Sequence, residues 1–190
     1  MTVALVLAAG NGSRMGTPKA KIEIDDERLV DRAVSMLKEA GCTDVYVVLG
    51  AWIGDVAGAK VIINENWREG IGSSLRTGLA HISSMPNVES VMISLVDLPG
   101  LTAAAAVQIL LAPGEIVVGT FEGKPGHPVK FSRMHWQGII DSAVGDVGAQ
   151  RYLSSRSDVV YLELDKWASG KDVDTRADLA LFLRNEGCRS

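Results

Sequence analysis

An arginine and a lysine five residues apart share a loop with three glycines, Gly10-Asn11-Gly12-Ser13-Arg14-Met15-Gly16-Thr17-Pro18-Lys19. Arg offers a planar fork of donors matched to phosphate oxygens, and Lys a mobile point charge. Glycine lets backbone N–H groups approach such oxygens with no side chain in the way. The set suits a triphosphate on which negative charge builds as pyrophosphate leaves. Two common phosphate loops do not account for it. A P-loop needs four residues between its glycines and then Gly-Lys-Ser/Thr, and no such ending follows here. A dinucleotide fingerprint needs Gly-x-Gly-x-x-Gly and an acidic residue about 20 positions on. Here Met15 delays the third glycine by one, and the second strand ends at Leu49-Gly50 with no carboxylate at its tip. A tight turn with two solvated cations is the plain alternative.

Other residues carry chemistry compatible with that loop. Asp97 stops the apolar run that begins at Ser90. A carboxylate at a strand tip beside a triphosphate is placed to hold Mg²⁺, a hard cation that shares its oxygen ligands with phosphate. As a helix cap Asp97 fits poorly, because Thr102 already stands before the next helix. Gly70 and Gly72 lead into a helix whose first turn, with Ser73 and Ser74, presents free N–H and O–H donors. A glycine-rich entry to an ordinary helix, with Trp67 in the core, is the competing reading. His127 can meet substrate or donate a proton, or be an ordinary turn histidine. Asp172 or Asp174 adds a second carboxylate to the metal site, although a helix N-cap at Asp174 or Thr175 explains that stretch as well.

What must position these groups is an alternation of short apolar runs with longer amphipathic ones. The pattern predicts strands at 2–8, 44–50, 59–65, 90–97, 115–121 and 158–165, with a short extended piece at 127–131 before another helix. Helices are predicted over 28–41, where Leu29, Val30, Ala33, Val34 and Leu37 share a face, and over 71–82, 102–112 and 174–187. Such alternation implies an α/β fold with a mainly parallel sheet and helices on both faces. Right-handed crossovers then bring the loops at the strands' carboxyl ends to one crevice. With no repeat, low-complexity tract or linker, residues 1–190 are expected to form one domain.

A net charge of −4 gives no broad electrostatic reason to expect nucleic acid or an anionic membrane as partner. No apolar run reaches transmembrane length, and the amino terminus lacks a basic region followed by a signal core. Cys42 and Cys188 have no metal-like spacing and read as ordinary thiols in a reduced cytoplasm. A cytoplasmic protein is expected.

The stretch Leu7-Ala8-Ala9-Gly10 through Lys19 resembles the signature of nucleotidyltransferases that activate sugars and cofactors with a nucleoside triphosphate. Residues 64–79 resemble the Asn-x-x-Trp-x-x-Gly-x-x-x-Ser-Leu-x-x-Gly segment of the molybdenum cofactor branch, the MobA-like family. Asp97-Leu98-Pro99 resembles its Asp-x-Pro, and Gly126-His127-Pro128-Val129 its Gly-x-Pro-Val. Residues 145–150 resemble its Gly-Asp-x-Gly-Ala-Arg, with Gln150 in place of arginine. Residues 172–179 resemble its Asp-Ile-Asp-Thr-Pro-x-Asp-Leu, with Arg176 in place of proline.

The resemblance implies a Rossmann-like, three-layer α/β/α sandwich of the nucleotide-diphospho-sugar transferase type. It implies transfer of a nucleoside monophosphate to the terminal phosphate of a molybdopterin-type acceptor, as in the cytidylyltransferases, with Mg²⁺. Nucleotide contacts then fall on Leu7, Ala8, Ala9, Gly10, Gly12, Ser13, Arg14, Lys19, Gly72, Ser73 and Ser74. Arg14, Lys19 and Asp97 are the catalytic set, Asp97 and Asp174 the metal ligands, and His127 and Gly148 lie toward the acceptor. A molybdoenzyme or its chaperone is the implied recipient of the product. Ala9, where guanylyl-transferring relatives show glycine, favours a pyrimidine, hence CTP. Gln150 leaves the acceptor open. Another small phosphorylated acceptor fits, as does an NAD(P)H-dependent reductase of the nicotine-blue type on the same scaffold.

Overall fold

A computed structural model describes residues 1–186 of the chain. Gly187, expected to end the last helix, and Cys188 lie outside the described residues. Strand β1 (Thr2–Leu7) is followed by a small hairpin of β2 (Glu23–Ile24) and β3 (Glu27–Arg28), then helix α1 (Leu29–Glu39). Next come β4 (Val45–Leu49), β5 (Lys60–Ile63), α2 (Ile71–Ser83), β6 (Ser90–Leu95) and α3 (Ala103–Leu111). The hairpin β7 (Ile116–Phe121) and β8 (Lys124–Ser132) leads to α4 (Trp136–Ser142), α5 (Gln150–Ser154), β9 (Val159–Glu163) and α6 (Arg176–Glu186). The main sheet has seven strands in the order β5-β4-β1-β6-β8-β7-β9, with β8 antiparallel to the rest.

Strand alternation splits the core in two. Ala4, Val6, Val47, Leu49 and Met92 face a layer built with α1 and α3. Val3, Leu5, Tyr46, Val48, Val91 and Ile93 face the opposite layer, built with α2 and α4. The result is the expected α/β/α sandwich. Helix α1 buries the face read from its sequence, and Gly41 (φ 96°) ends it in the left-handed conformation, its N–H donating to Lys38 O. Among the described residues no helix is long and apolar enough to cross a membrane.

The expected short piece at 127–131 is instead a nine-residue interior strand. Pro125, Gly126 and Pro128 disguise it, since proline removes a ladder donor and glycine weakens a strand. They are tolerated because the β7–β8 register shifts between Val118 and Thr120, a bulge opposite Gly126, His127 and Pro128. Glu122 and Gly123, both at positive φ, close the hairpin.

Two buried groups lie away from the sheet's carboxyl edge. Cys42 is buried, and burial pushes its thiol up to about 11, so it is inert. His135, 3% exposed, bonds through Nδ1 to the Tyr152 hydroxyl of α5 at 2.8 Å, and its Nε2 has no partner. Burial, helped by the Arg156 charge, holds its imidazole below the ordinary value of 6.5. Below about pH 6.5, therefore, the unfolded chain binds a proton that the folded chain refuses, and stability falls as pH drops through that window. His135→Gln is expected to flatten the acid limb of a melting-temperature profile between about pH 7 and 5. An unchanged limb would assign the loss to carboxylates.

Candidate functional site

The carboxyl ends of β1 and β6 open on a cavity of about 830 Å³. Its floor is the chain leaving β1. Ala8 N–H donates to Val48 O at 3.0 Å and Ala9 O accepts from Ala51 N at 3.0 Å, so both alanines stay flush with the sheet. The chain then turns on Gly12, whose carbonyl accepts from Met15 N (2.8 Å) and Gly16 N (2.9 Å). Met15, the residue that breaks the dinucleotide pattern, is 5% exposed and anchors the loop in the core. Gly12 has φ +58°, and a Cβ there would lie 2.0 Å from the Thr17 carbonyl oxygen. Gly12→Ala is therefore expected to cost roughly 2–4 kcal/mol, read as a lower urea midpoint. A Cβ on Gly10 would meet no protein atom within 4 Å. That glycine lines the cavity with nothing of its own chain to avoid.

Four of the charged side chains that line the cavity are joined by ion pairs. Lys19, at the start of a short 3₁₀ turn, donates to Asp97 Oδ2 at 2.6 Å and also to Asp174 Oδ1. Arg14 Nη2 meets the other Asp174 oxygen at 2.7 Å. Burial works against the Lys19 charge, yet the two carboxylates hold its ammonium above the usual lysine value. The Lys19 hydrogen bond holds the Asp174 carboxyl below the usual carboxylate range, with Arg14 assisting. The Arg14 side chain is 65% exposed against 17% for Lys19, so a ligand can draw the arginine away at little cost.

Neither carboxylate is spent on a helix cap. Thr102 caps α3, its Oγ1 accepting from Ala105 N at 3.2 Å. Thr175 caps α6 in a reciprocal pair with Asp178, which accepts from Thr175 N at 2.7 Å while Asp178 N donates to Thr175 Oγ1 at 3.2 Å. Asp97 O accepts from Val173 N at 2.8 Å, and this bond ties the segment after β9 to the tip of β6. Asp172 also lines the cavity, its carboxyl held above the usual range by burial and by the Asp174 and Asp97 charges.

The entry to α2 is organised differently from its sequence-based expectation. Asn64 Nδ2 donates to Ser73 Oγ (2.8 Å) and Ser74 Oγ (3.0 Å), and the Ser73 hydroxyl turns to the carbonyls of Asn66 (2.9 Å) and Gly70 (3.0 Å). Gly72 N–H donates to Gly145 O at 2.8 Å. Ser74 lines the cavity; the Gly72 and Ser73 donors are committed within the protein and stand behind it. Trp67 and Arg68 line it too, with the Arg68 guanidinium 4.3 Å from the Trp67 ring centre. The sequence-based expectation does not include Arg68; its charge next to Trp67 is the signal that marks it.

His127 and Gly148 do not join Arg14, Lys19 and Asp97. They line a second cavity of about 560 Å³, which shares Leu7, Ile71 and Asp146 with the first. The bulge in β8 places His127 there, half-buried, its imidazole held below the usual range by burial.

Among the described residues no three His, Cys, Asp or Glu side chains form a complete metal cage. Asp97 Oδ1, however, is buried with no hydrogen-bond partner, beside Asp174. Mg²⁺ takes one or two carboxylates and completes its shell with water and phosphate. The donor set fits an ion shared with a phosphate.

Residues 4–159 match the MobA-like NTP transferase domain. The chain belongs to that family. Nicotine blue oxidoreductase of Paenarthrobacter nicotinovorans is 29% identical over 188 residues, covering 90% of this MobA-like chain and 91% of the relative. Rv0371c of Mycobacterium tuberculosis H37Rv superposes with a TM-score of 0.82 at 27% identity, over 96% of this chain and 97% of the other. A structure of Rv0371c in complex with manganese gives 0.80 at 25% identity, over 96% and 98%.

Proposed function

We propose that this MobA-like chain transfers CMP from CTP to the terminal phosphate of a molybdopterin-type acceptor and releases pyrophosphate. The observation that carries the reading is the meeting of Arg14 and Lys19 with Asp97 and Asp174 at the 830 Å³ cavity. Arg14, Lys19 and the backbone N–H groups of Ala9 to Gly12 take the triphosphate, with Leu7, Ala8 and Ser13 lining its path and Ser74 opposite. Gly72 and Ser73 shape the wall behind Ser74. Asp97 and Asp174 hold Mg²⁺, which when bound neutralises phosphate charge. The acceptor phosphate is already ionised, so no covalent nucleophile is required of the protein. Positioning and charge stabilisation do the rest. His127 and Gly148 face the acceptor, and a molybdoenzyme or chaperone in the cytoplasm receives the product.

Pyrophosphate release is the test, with CTP, GTP, ATP and UTP, a molybdopterin acceptor, and Mg²⁺ with or without chelator. Release from CTP that chelation abolishes is expected; no release from any triphosphate would overturn the reading. Gly10→Ala is expected to leave the melting temperature unchanged and to weaken CTP binding about tenfold, because the added methyl enters the ligand's space alone. Unaltered binding would take Gly10 out of the nucleotide contacts.

The relative from Paenarthrobacter favours a second reading, an NAD(P)H-dependent reductase on the same scaffold. Oxidation of NADPH by a dye, followed by absorbance, in a protein that binds no triphosphate would establish it. Transfer to a sugar or polyol phosphate is separated from the main reading by exchanging the acceptor in the same pyrophosphate assay.

A further inference from the structure

A third cavity, of about 690 Å³, is bordered by the chain after β6, by the segment that joins β9 to α6, and by α6 itself. Its size is that of a small-ligand cleft, about 300–1,000 Å³. Leu101, Trp167, Leu181 and Phe182 give it an apolar wall, of which Leu181 is left 49% exposed. The charges around that wall are unequally committed. Asp165 Oδ2 accepts from Glu122 N at 2.8 Å, Asp178 is taken up by the cap of α6, and Arg32 Nε donates to Pro99 O at 3.2 Å. Lys166 Nζ stands 5.4 Å from the centre of the Trp167 ring, and the exposed Lys171 forms no ion pair among the described residues. A flat ring gains by burying its area against Trp167 and Phe182. An acid group on that ring gains Lys171 as its counter-ion.

The wall that carries Lys171 also reaches the first cavity. Thr102 Oγ1 donates to Trp167 O at 2.9 Å, Ser169 N to Gly100 O at 3.0 Å, and Val173 N to Asp97 O at 2.8 Å. Lys171 lies between the last two anchors. The next residue, Asp172, lines both cavities, and Asp174 meets Lys19 and Arg14. From this we infer that the third cavity is a regulatory site for a small aromatic carboxylate, its ring against Trp167 and its acid group on Lys171. Residues 171–174 carry its occupancy to Asp97 and Asp174. The inference does not rest on the transfer reading.

The test follows amide and indole resonances of the isotope-labelled whole protein during titration with 2-naphthoate, acetate and the 2-naphthylmethylammonium cation. 2-Naphthoate is expected to shift the Trp167 indole N–H and the amides of residues 166–171, with the shifts continuing to Asp97 and Asp174. Acetate, which lacks the ring, is expected to bind at least about a hundredfold more weakly, and the ammonium compound at least about tenfold. Lys171→Glu, an exchange at an exposed side chain, should keep the melting temperature near wild type and bring the ammonium compound ahead of naphthoate. With a non-hydrolysable CTP analogue and Mg²⁺ at saturation, naphthoate should still bind, its affinity altered about fivefold by the coupling. The site is overturned by the absence of any naphthoate shift up to its solubility, by equal binding of the ammonium compound, or by shifts at His127 and Gly148 in place of these. Shifts that stop at Lys171, or an affinity that bound nucleotide leaves unchanged, would overturn its regulatory role. An analogue that itself fails to bind counts against the transfer reading, and the shifts at Asp97 and Asp174 then decide the coupling alone.

Discussion

Asp97→Asn is expected to slow pyrophosphate release from CTP by about 10²–10³-fold, the loss seen when one preorganised charge-stabilising group is removed. The exchange keeps the shape of the side chain and the backbone carbonyl that accepts from Val173 N at 2.8 Å. It removes the charge that faces Lys19 Nζ at 2.6 Å and the buried, unpartnered Oδ1. The loss belongs in kcat, because an oxygen that serves a metal-bound phosphate matters most as charge builds on the leaving group. Circular dichroism and the urea midpoint should stay near wild type. Full activity in the Asn variant would remove Asp97 from catalysis, and a fallen midpoint would make its role structural.

Lys19→Met is expected to lose turnover by a similar factor and, in the absence of nucleotide, to bind Mn²⁺ about tenfold more tightly than wild type. The Lys19 ammonium stands between Asp97 and Asp174, where a divalent cation would bind. Taking it away leaves two carboxylates facing each other, with Asp172 close behind and the exposed Arg14 as the counter-charge in contact with Asp174. Methionine keeps the length of the aliphatic stem. Manganese should also raise the melting temperature of the variant more than that of wild type, since a ligand that binds only the folded state stabilises in proportion to its affinity. Electron paramagnetic resonance of free Mn²⁺ reads the affinity directly. Equal or weaker binding by the variant would put the metal away from these carboxylates.

Much of this arrangement was legible in the sequence, because two periodicities are hard to disguise. Val3 to Leu7 and Val45 to Leu49 are unbroken apolar runs that fit a doubly covered strand, and α1 carries its buried face at helical spacing. Asp97 was visible as a charge that stops such a run with a better helix cap five residues later. What stayed hidden depends on partners distant in sequence. The strand nature of residues 124–128 rests on pairing with β7, against the local preference of two prolines and a glycine. The Gly72 N–H looked free because its acceptor, Gly145 O, lies 73 positions on, and Ser73 was drawn off by Asn64 and Asn66. Choosing between Asp174 and Thr175 as the cap of α6 required Asp178, whose reciprocal bonds leave Asp174 to the two cations. The placing of His127 in a cavity apart from Arg14 and Lys19 has no local signature either, because it depends on the bulge opposite β7.

Soaking crystals with the non-hydrolysable CTP analogue and Mn²⁺ tests the central claim most directly, with anomalous scattering to locate the metal. The triphosphate should lie along residues 8–14 with Arg14 and Lys19 turned onto its oxygens, and the manganese peak should touch Asp97 and Asp174. Nucleotide density elsewhere, with Lys19 still bridging those two aspartates, would contradict it.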